Sequence, residues 1–127
     1  EKNFDEAANW IIKAAKQGRK WAQCDIGNLY YSGTGLDQDY SEAVKWYKLA
    51  AEQGYATAQN MLGNCYQKGE GVEKNYREAL GWYKKAADQG DEDGKKNYQE
   101  LNMMLRLEES VNAELSKLSD MNRPSNL

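Results

Sequence analysis

Residues Ser41–Gly54 read SEAVKWYKLAAEQG, and a near copy, REALGWYKKAADQG, stands at Arg77–Gly90. A rougher copy occupies Asp5–Gly18. Trp10, Trp46 and Trp82 fall 36 residues apart, and so do the pairs Ala14-Ala15, Ala50-Ala51 and Ala86-Ala87. The steps Gln17-Gly18, Gln53-Gly54 and Gln89-Gly90 keep the same interval. Residues 18–53 and 54–89 are identical at 17 of 36 aligned positions. A period of this length is the mark of stacked helical hairpins, each unable to bury its apolar face alone.

Each unit reads as two helices. The first spans 20–32 and again 56–68, with Ala22, Ile26, Leu29 and Tyr30 in one copy and Ala58, Leu62, Cys65 and Tyr66 in the next. Their spacing by three and four places them on one helical face. Gly27 and Gly63 recur in mid-helix, where glycine costs about 0.5–1 kcal/mol relative to alanine. Recurrence in phase predicts that a neighbouring element passes too close there for a side chain. The loops SGTGLDQD and KGEGVEKN follow, with Gly33 and Gly69 placed to stop the helix in a left-handed conformation. Leu36 and Val72 are expected to tuck back under these loops. Asp39 with Glu42, Asn75 with Glu78, and Asn3 with Glu6 are start signals for the next helix. That second helix buries Ala43, Trp46, Tyr47, Ala50 and Ala51, and in its copy Ala79, Trp82, Tyr83, Ala86 and Ala87.

The expected helices are therefore 4–17, 20–32, 40–53, 56–68 and 76–89, with a last one opening at Glu92 behind Asp91. There the repeat decays, because Gly94 and Gln99 depart from it and Leu105 stands at the place of Gly33 and Gly69. Leu101, Met104, Leu105, Val111, Leu115 and Leu118 continue a helical stripe. The expected fold is all-α, a superhelical solenoid of about 2.5–3 hairpins with a C-terminal capping helix. The expected divisions are a solenoid over 1–102, a capping helix over 103–120 broken near Glu109–Asn112, and a disordered tail over 121–127.

Composition narrows the function. A net charge of -3 and pI of about 5.1 give no basic field for nucleic acid or anionic lipid. The chain has no histidine and two cysteines, so neither a zinc site nor an imidazole base can be assembled from it. No cofactor is expected. Cys24 and Cys65 lie out of phase with the repeat and read as lone buried thiols, which favours a reducing compartment. No targeting or membrane-spanning segment is visible, so location is otherwise open, including a periplasmic or secreted one after removal of an upstream signal. The acidic run Asp88, Asp91, Glu92 and Asp93 lacks calcium-loop spacing and suits a helix N-terminus instead. The serine and cysteine residues have no base beside them, and no enzyme is expected.

The run A-x-x-W-Y-x-x-A-A-x-x-G followed by A-Q-x-x-[LI]-G-x-x-Y-x-x-G-x-G resembles the Sel-one-like repeat (SLR) family, relatives of the tetratricopeptide repeats. It is carried by Ala43, Trp46, Tyr47, Ala50, Ala51, Gly54, Ala58, Gln59, Leu62, Gly63, Tyr66, Gly69 and Gly71 and their partners one period earlier, over about residues 3–102. Ile11 departs from the motif tyrosine. The opening helix of the first hairpin is missing, so the chain is expected to be the C-terminal portion of a longer array.

The resemblance implies a protein–protein adaptor whose concave face, lined by the first helices, grips a partner's peptide or helix. By that analogy the groove residues are Trp21, Cys24, Asn28, Tyr31 and Ser32, then Thr57, Asn60, Asn64, Gln67 and Lys68, then Asp93, Lys96 and Glu100. Asn28 and Asn64 suit peptide recognition through their amides, or else bond to a neighbouring helix. Trp21 and Tyr31 differ from their counterparts Thr57 and Gln67 and so are candidates for specificity. The resemblance leaves two further roles open. One is a bacterial inhibitor or immunity-type protein that blocks a toxin or enzyme. The other is action on β-lactams, as implied by cysteine-rich members that pair cysteines within each repeat; this chain does not. The C-terminal stripe either caps the stack or pairs with another chain.

Overall fold

The computed structural model of the protein describes residues 2–124, with side chains described from Glu6 onward. Six helices make up the described residues: α1 (Lys2–Lys16), α2 (Lys20–Ser32), α3 (Tyr40–Glu52), α4 (Ala56–Lys68), α5 (Tyr76–Asp88) and α6 (Glu92–Met121). No strand occurs among them. Each helix packs on the next in sequence, and α4 also touches α6. The architecture is the helical-repeat solenoid that the 36-residue period implies.

Local chemistry sets the boundaries. Asp39 caps α3 by accepting the Glu42 N–H at 3.1 Å, and Asn75 caps α5 by accepting the Glu78 N–H at 3.1 Å. The box is only half closed. The Asp39 and Asn75 backbone N–H groups donate instead to the Tyr30 and Tyr66 carbonyls, which ties each loop back to the helix before it. Gly33 and Gly69 end α2 and α4 with φ of 72° in both, a left-handed turn that only glycine adopts without strain. Asp91 caps α6 through the Gly94 N–H at 2.8 Å. Helix α1 already includes Asn3, so the Asn3/Glu6 signal does not mark its start.

The core combines small residues with Ile26, Leu62 and Leu101 and two tyrosines. Ala22, Ala43, Ala50, Ala58, Ala79 and Ala86 have no exposed surface, and neither do Tyr47 and Tyr83. Alanine lets the helix backbones approach, and each tyrosine ring fills the slot that a glycine leaves open opposite. A Cβ built on Gly27 would lie 2.6 Å from the Tyr47 ring, and one on Gly63 would lie 2.5 Å from the Tyr83 ring. The close approach expected at these glycines is real, and the neighbour is a ring from the paired helix of the same hairpin.

The recurring tryptophans behave differently from the expectation that they are core. Trp46 is half-buried against the cluster of Ala15 from α1 and Ala22 and Ile26 from α2, while Trp82 is half-buried against the Tyr47 cluster. Trp10, the equivalent residue in α1, is 71% exposed. Trp46 and Trp82 each fill the space between their own hairpin and the helix before it, and no helix precedes α1 among the described residues.

A buried amide ladder joins the units. Gln23 donates to the Ala15 carbonyl and Gln59 to the Ala51 carbonyl, at 3.3 and 3.1 Å. Gln53 then donates to Gln23 Oε1 and Gln89 to Gln59 Oε1, at 2.7 and 2.9 Å. The motif glutamine is thus a bracket between three helices, with both halves of its amide bonded.

The C-terminal segment differs from its expected divisions. Helix α6 runs unbroken for 30 residues, through both the 102/103 boundary and the Glu109–Asn112 segment. Its first half packs on α5 and buries Leu101. Side chains from Arg106 to Pro124 are exposed, so this stretch closes nothing. The stripe is amphipathic without Gly or Pro, which continues the helix, and near its start Glu108, Glu109 and Asn112 border a cavity of about 340 Å³ with Asn75, Tyr76 and Arg77. Of the expected tail, Met121 is the last helical residue and 122–124 follow outside the helix; 125–127 lie outside the described residues.

Candidate functional site

Helices α2, α4 and the first half of α6 present matching stripes at intervals of four, three and four residues, which keep to one face of a helix. On α2 the stripe is Trp21, Asp25, Asn28 and Ser32, all exposed. On α4 it is Thr57, Met61, Asn64 and Lys68, and on α6 it is Asp93, Asn97, Glu100 and Met104.

The two asparagines of this face are each tied to a buried tyrosine. Tyr47 in α3 donates its hydroxyl to Asn28 Oδ1 at 2.6 Å, and Tyr83 in α5 does the same to Asn64 Oδ1 at 2.6 Å. Each asparagine is therefore bonded to a tyrosine side chain rather than to a helix backbone. The carbonyl oxygen is taken by the tyrosine, which leaves the Nδ2–H2 group available as a donor. Asn64 Nδ2 has only a long contact to the Met61 sulfur, at 3.9 Å. A pinned amide loses less freedom on binding than a free one, which is how preorganisation raises affinity.

The other expected groove residues divide into three groups. Trp21 is 46% exposed, and Thr57, Lys68 and Lys96 are also exposed, so they remain on the surface. Tyr31 and Gln67 are half-buried and carry structural bonds. The Tyr31 hydroxyl donates to Glu70 at 2.7 Å, and its ring packs on Tyr40 and Tyr47 with centroids 5.1 and 6.4 Å apart. Gln67 instead offers Oε1 to the Tyr83 hydroxyl at 2.7 Å, so that hydroxyl has two acceptors within reach. Tyr31 thus links α2 to the loop of the following hairpin, which explains why the two copies differ here.

Cys24 and Asn60 do not line the groove. Cys24 is 2% exposed within the central core, because its position on α2 turns toward α3 and α4. Asn60 is its counterpart one period on, is 8% exposed, and accepts a bond from Asn97 Nδ2 at 2.9 Å that joins α4 to α6. Sequence reasoning missed Asp25, Met61 and Asn97 on the face. The four-residue step from Trp21, Thr57 and Asp93 would have found them. Burial holds the Asp25 carboxyl above its ordinary range.

The chemistry available is that of recognition. Burial pushes both thiols up to about 12, so neither is a thiolate nucleophile near neutral pH. Among the described residues no cluster of His, Cys, Asp or Glu is arranged to hold a metal, and no helix is long and apolar enough to cross a membrane. A cavity of about 260 Å³ lies away from the face, at the open N-terminal end, lined by Glu6, Asn9, Trp10 and Lys13.

Comparison with known proteins agrees with this construction. The Sel1 repeat pattern matches residues 1–18, 22–55 and 56–91. A Sel1 repeat protein from Oxalobacter formigenes is 44% identical over 76% of this chain and 72% of its own, with a TM-score of 0.73. The protein c5321, a protective antigen of uropathogenic Escherichia coli with an SLR fold, is 42% identical over 68% of this chain and 18% of its own, with a TM-score of 0.67. Cysteine-rich protein B of Helicobacter pylori shares the fold at 24% identity and a TM-score of 0.69, over 72% of this chain and 69% of its own. No curated protein matches the chain. With the family pattern covering three consecutive stretches and the hairpins packed as that pattern requires, the chain belongs to the Sel1 repeat family, whose members are in general protein-interaction scaffolds.

Proposed function

We propose that the chain is an adaptor that binds an extended peptide or a helix of a partner protein along the stripes of α2, α4 and α6. The observation that carries this reading is the pair of pinned amides. Two asparagines one period apart hold their carbonyls on buried tyrosine hydroxyls, which leaves their N–H2 groups as the donors to offer a partner. Such donors suit peptide carbonyls or a carboxylate, and the half-exposed Trp21 beside Asn28 supplies an aromatic anchor. Lys68 adds positive charge to the face, and Asp25, Asp93 and Glu100 negative; Lys96 is exposed but stands at the helix position of Cys24 and Asn60, beside the stripe. Self-association would use the free half of α6, which continues the same stripe and shares Met104 with it, while Trp21, Asn28 and Asn64 on α2 and α4 lie outside that seam.

The test must remove the donors without orphaning the tyrosines. Alanine at Asn28 would leave the buried Tyr47 hydroxyl without its acceptor, at a cost of about 1–3 kcal/mol, whereas at Asn64 the Tyr83 hydroxyl would keep Gln67 Oε1. Aspartate is nearly isosteric and keeps the oxygen while losing the N–H2 group. The triple variant Trp21→Ala, Asn28→Asp and Asn64→Asp is expected to lose partners captured from source-cell lysate by the unmodified chain, with helical content unchanged. Capture that survives in this variant places recognition on another surface.

A further inference from the structure

The free half of α6 is the most apolar exposed surface of the molecule. Met103, Met104, Leu107, Val111, Leu115, Leu118 and Met121 are between 40% and 79% exposed, and only three other large hydrophobics among the described residues are exposed, Trp10, Trp21 and Leu49. A patch of this kind on one element marks an interface.

A further hairpin of the same repeat does not fit it. The preceding first helices receive their partner through a glycine under a tyrosine ring, Gly27 or Gly63, and brace it with Gln23 or Gln59. One period on, those positions hold Gln99 and Lys95, both exposed, and Leu105 replaces the helix-stopping glycine. The slot for a third buried tyrosine is absent, and the helix runs on where a loop would turn.

The spacing of the stripe suggests a different occupant. Met104, Leu107, Val111, Leu115 and Leu118 lie at −7, −4, 0, +4 and +7 relative to Val111. At 3.6 residues per turn all five fall within about 40° of the direction of Val111 and extend over about 21 Å. The set reads the same in both directions. Any stripe matches itself in a parallel pair; only an antiparallel pair requires a palindrome.

We propose that the free half of α6 pairs with a second copy of this chain, antiparallel, about a two-fold axis at Val111. Met104 then meets Leu118 of the second copy, Leu107 meets Leu115, and Val111 meets Val111. This is an isologous contact, in which each pair occurs twice. Arg106, Glu109, Lys117 and Asp120 project from the opposite side of the helix, so pairing desolvates none of them. Glu108 and Glu114 sit on opposite edges of the seam at −3 and +3, where pairing sets them at one height but on different sides. Antiparallel helix dipoles also favour this orientation over a parallel one. A seam of five side chains per helix is small, so the dimer is expected to be concentration-dependent.

Sedimentation equilibrium of the full chain should show a mass rising with concentration from 14.5 kDa toward twice that value. Val111→Asp should remain monomeric throughout, with the melting of the solenoid unchanged because this side chain is exposed. Glu109→Gln on the opposite side should dimerise like the parent. Cysteine pairing gives the orientation, since the native thiols Cys24 and Cys65 are buried and free. Chains carrying Met104→Cys and Leu118→Cys should form a mixed disulfide on mild oxidation, while Leu118→Cys alone should not. A chain that is monomeric at every concentration, a Val111→Asp variant that still dimerises, or a disulfide between two Leu118→Cys chains overturns the proposal.

Discussion

The hairpin of α2 and α3 and the hairpin of α4 and α5 have the same interior but different surfaces. Inside, Gly27 under Tyr47 repeats as Gly63 under Tyr83, and Asn28 on Tyr47 repeats as Asn64 on Tyr83. Outside, Trp21 faces solvent where its counterpart is Thr57, and Tyr31 reaches Glu70 where its counterpart Gln67 reaches Tyr83. Identity between the copies therefore reports packing demands, and difference reports positions that packing leaves free. Tyr31 is the instructive exception. It differs between copies for a structural reason, because its hydroxyl finds an acceptor on the next hairpin.

Removing a buried tyrosine tests the shared interior most severely. Tyr47→Ala and Tyr83→Ala are each expected to cost about 3–5 kcal/mol, as truncations of large buried aromatics do, with the free acceptor oxygens of Asn28 and Asn64 adding to it. Denaturant unfolding of the two variants should give similar losses. The tryptophan that leads the sequence motif should matter less, since Trp46 is only half-buried.

Filling the glycine slot is the next largest change. Alanine at Gly27 or Gly63 gains about 1 kcal/mol of helix propensity. The added Cβ meets a ring held by its own hydrogen bond, and overpacking of this kind costs about 1–3 kcal/mol. The net effect on both hairpins is destabilising, and chemical denaturation of Gly63→Ala reads its sign directly. A stabilised variant would mean that the ring can move aside.

Alkaline pH separates the hairpins by their tyrosines. Burial pushes Cys24, Cys65 and Tyr83 up to about 12, and Tyr31 and Tyr47 further, Tyr31 with the help of the Glu70 carboxylate. The unfolded chain releases these protons first, near the ordinary values of about 8.5 for cysteine and 10 for tyrosine. Above those values the unfolded state binds fewer protons than the folded one, so stability falls as pH rises from about 9 toward 12. Melting temperatures across that range should decline. Tyr31→Phe should lose about 1–2 kcal/mol through the bond to Glu70 and should make the decline shallower.

The smallest expected effect is at the surface. Trp21→Ala and Trp10→Ala should each shift stability by no more than about 0.5 kcal/mol, as substitutions away from packed features do. A larger loss at Trp21 than at Thr57 would show that the first hairpin uses this residue for packing, and would remove it from the recognition face.

Most of the fold was legible in the sequence. The 36-residue period, the stop glycines and the caps placed five helices within two residues of their observed ends, because those signals act through neighbours in the chain. The site was legible only in part. Asn28 and Asn64 were visible as a repeated pair, but the hydrogen bond that orients each comes from a tyrosine 19 residues away. Cys24 was misplaced for a related reason, since a single residue, about 100° of helix phase, separates this core position from the groove position at Asp25.

What the sequence determined alone was the unit: its length, its two helices, the alanines that allow close approach and the belonging to a known repeat family. Each follows from short-range geometry, which recurs whenever the same residues recur. The tertiary structure decided the rank of the aromatics, with Tyr47 and Tyr83 sealed inside, Trp46 and Trp82 shared between neighbours and Trp10 left exposed. It also decided that α6 continues as one rod beyond its last contact with the body. Those outcomes depend on which surface a neighbouring hairpin covers, and burial belongs to the assembled stack.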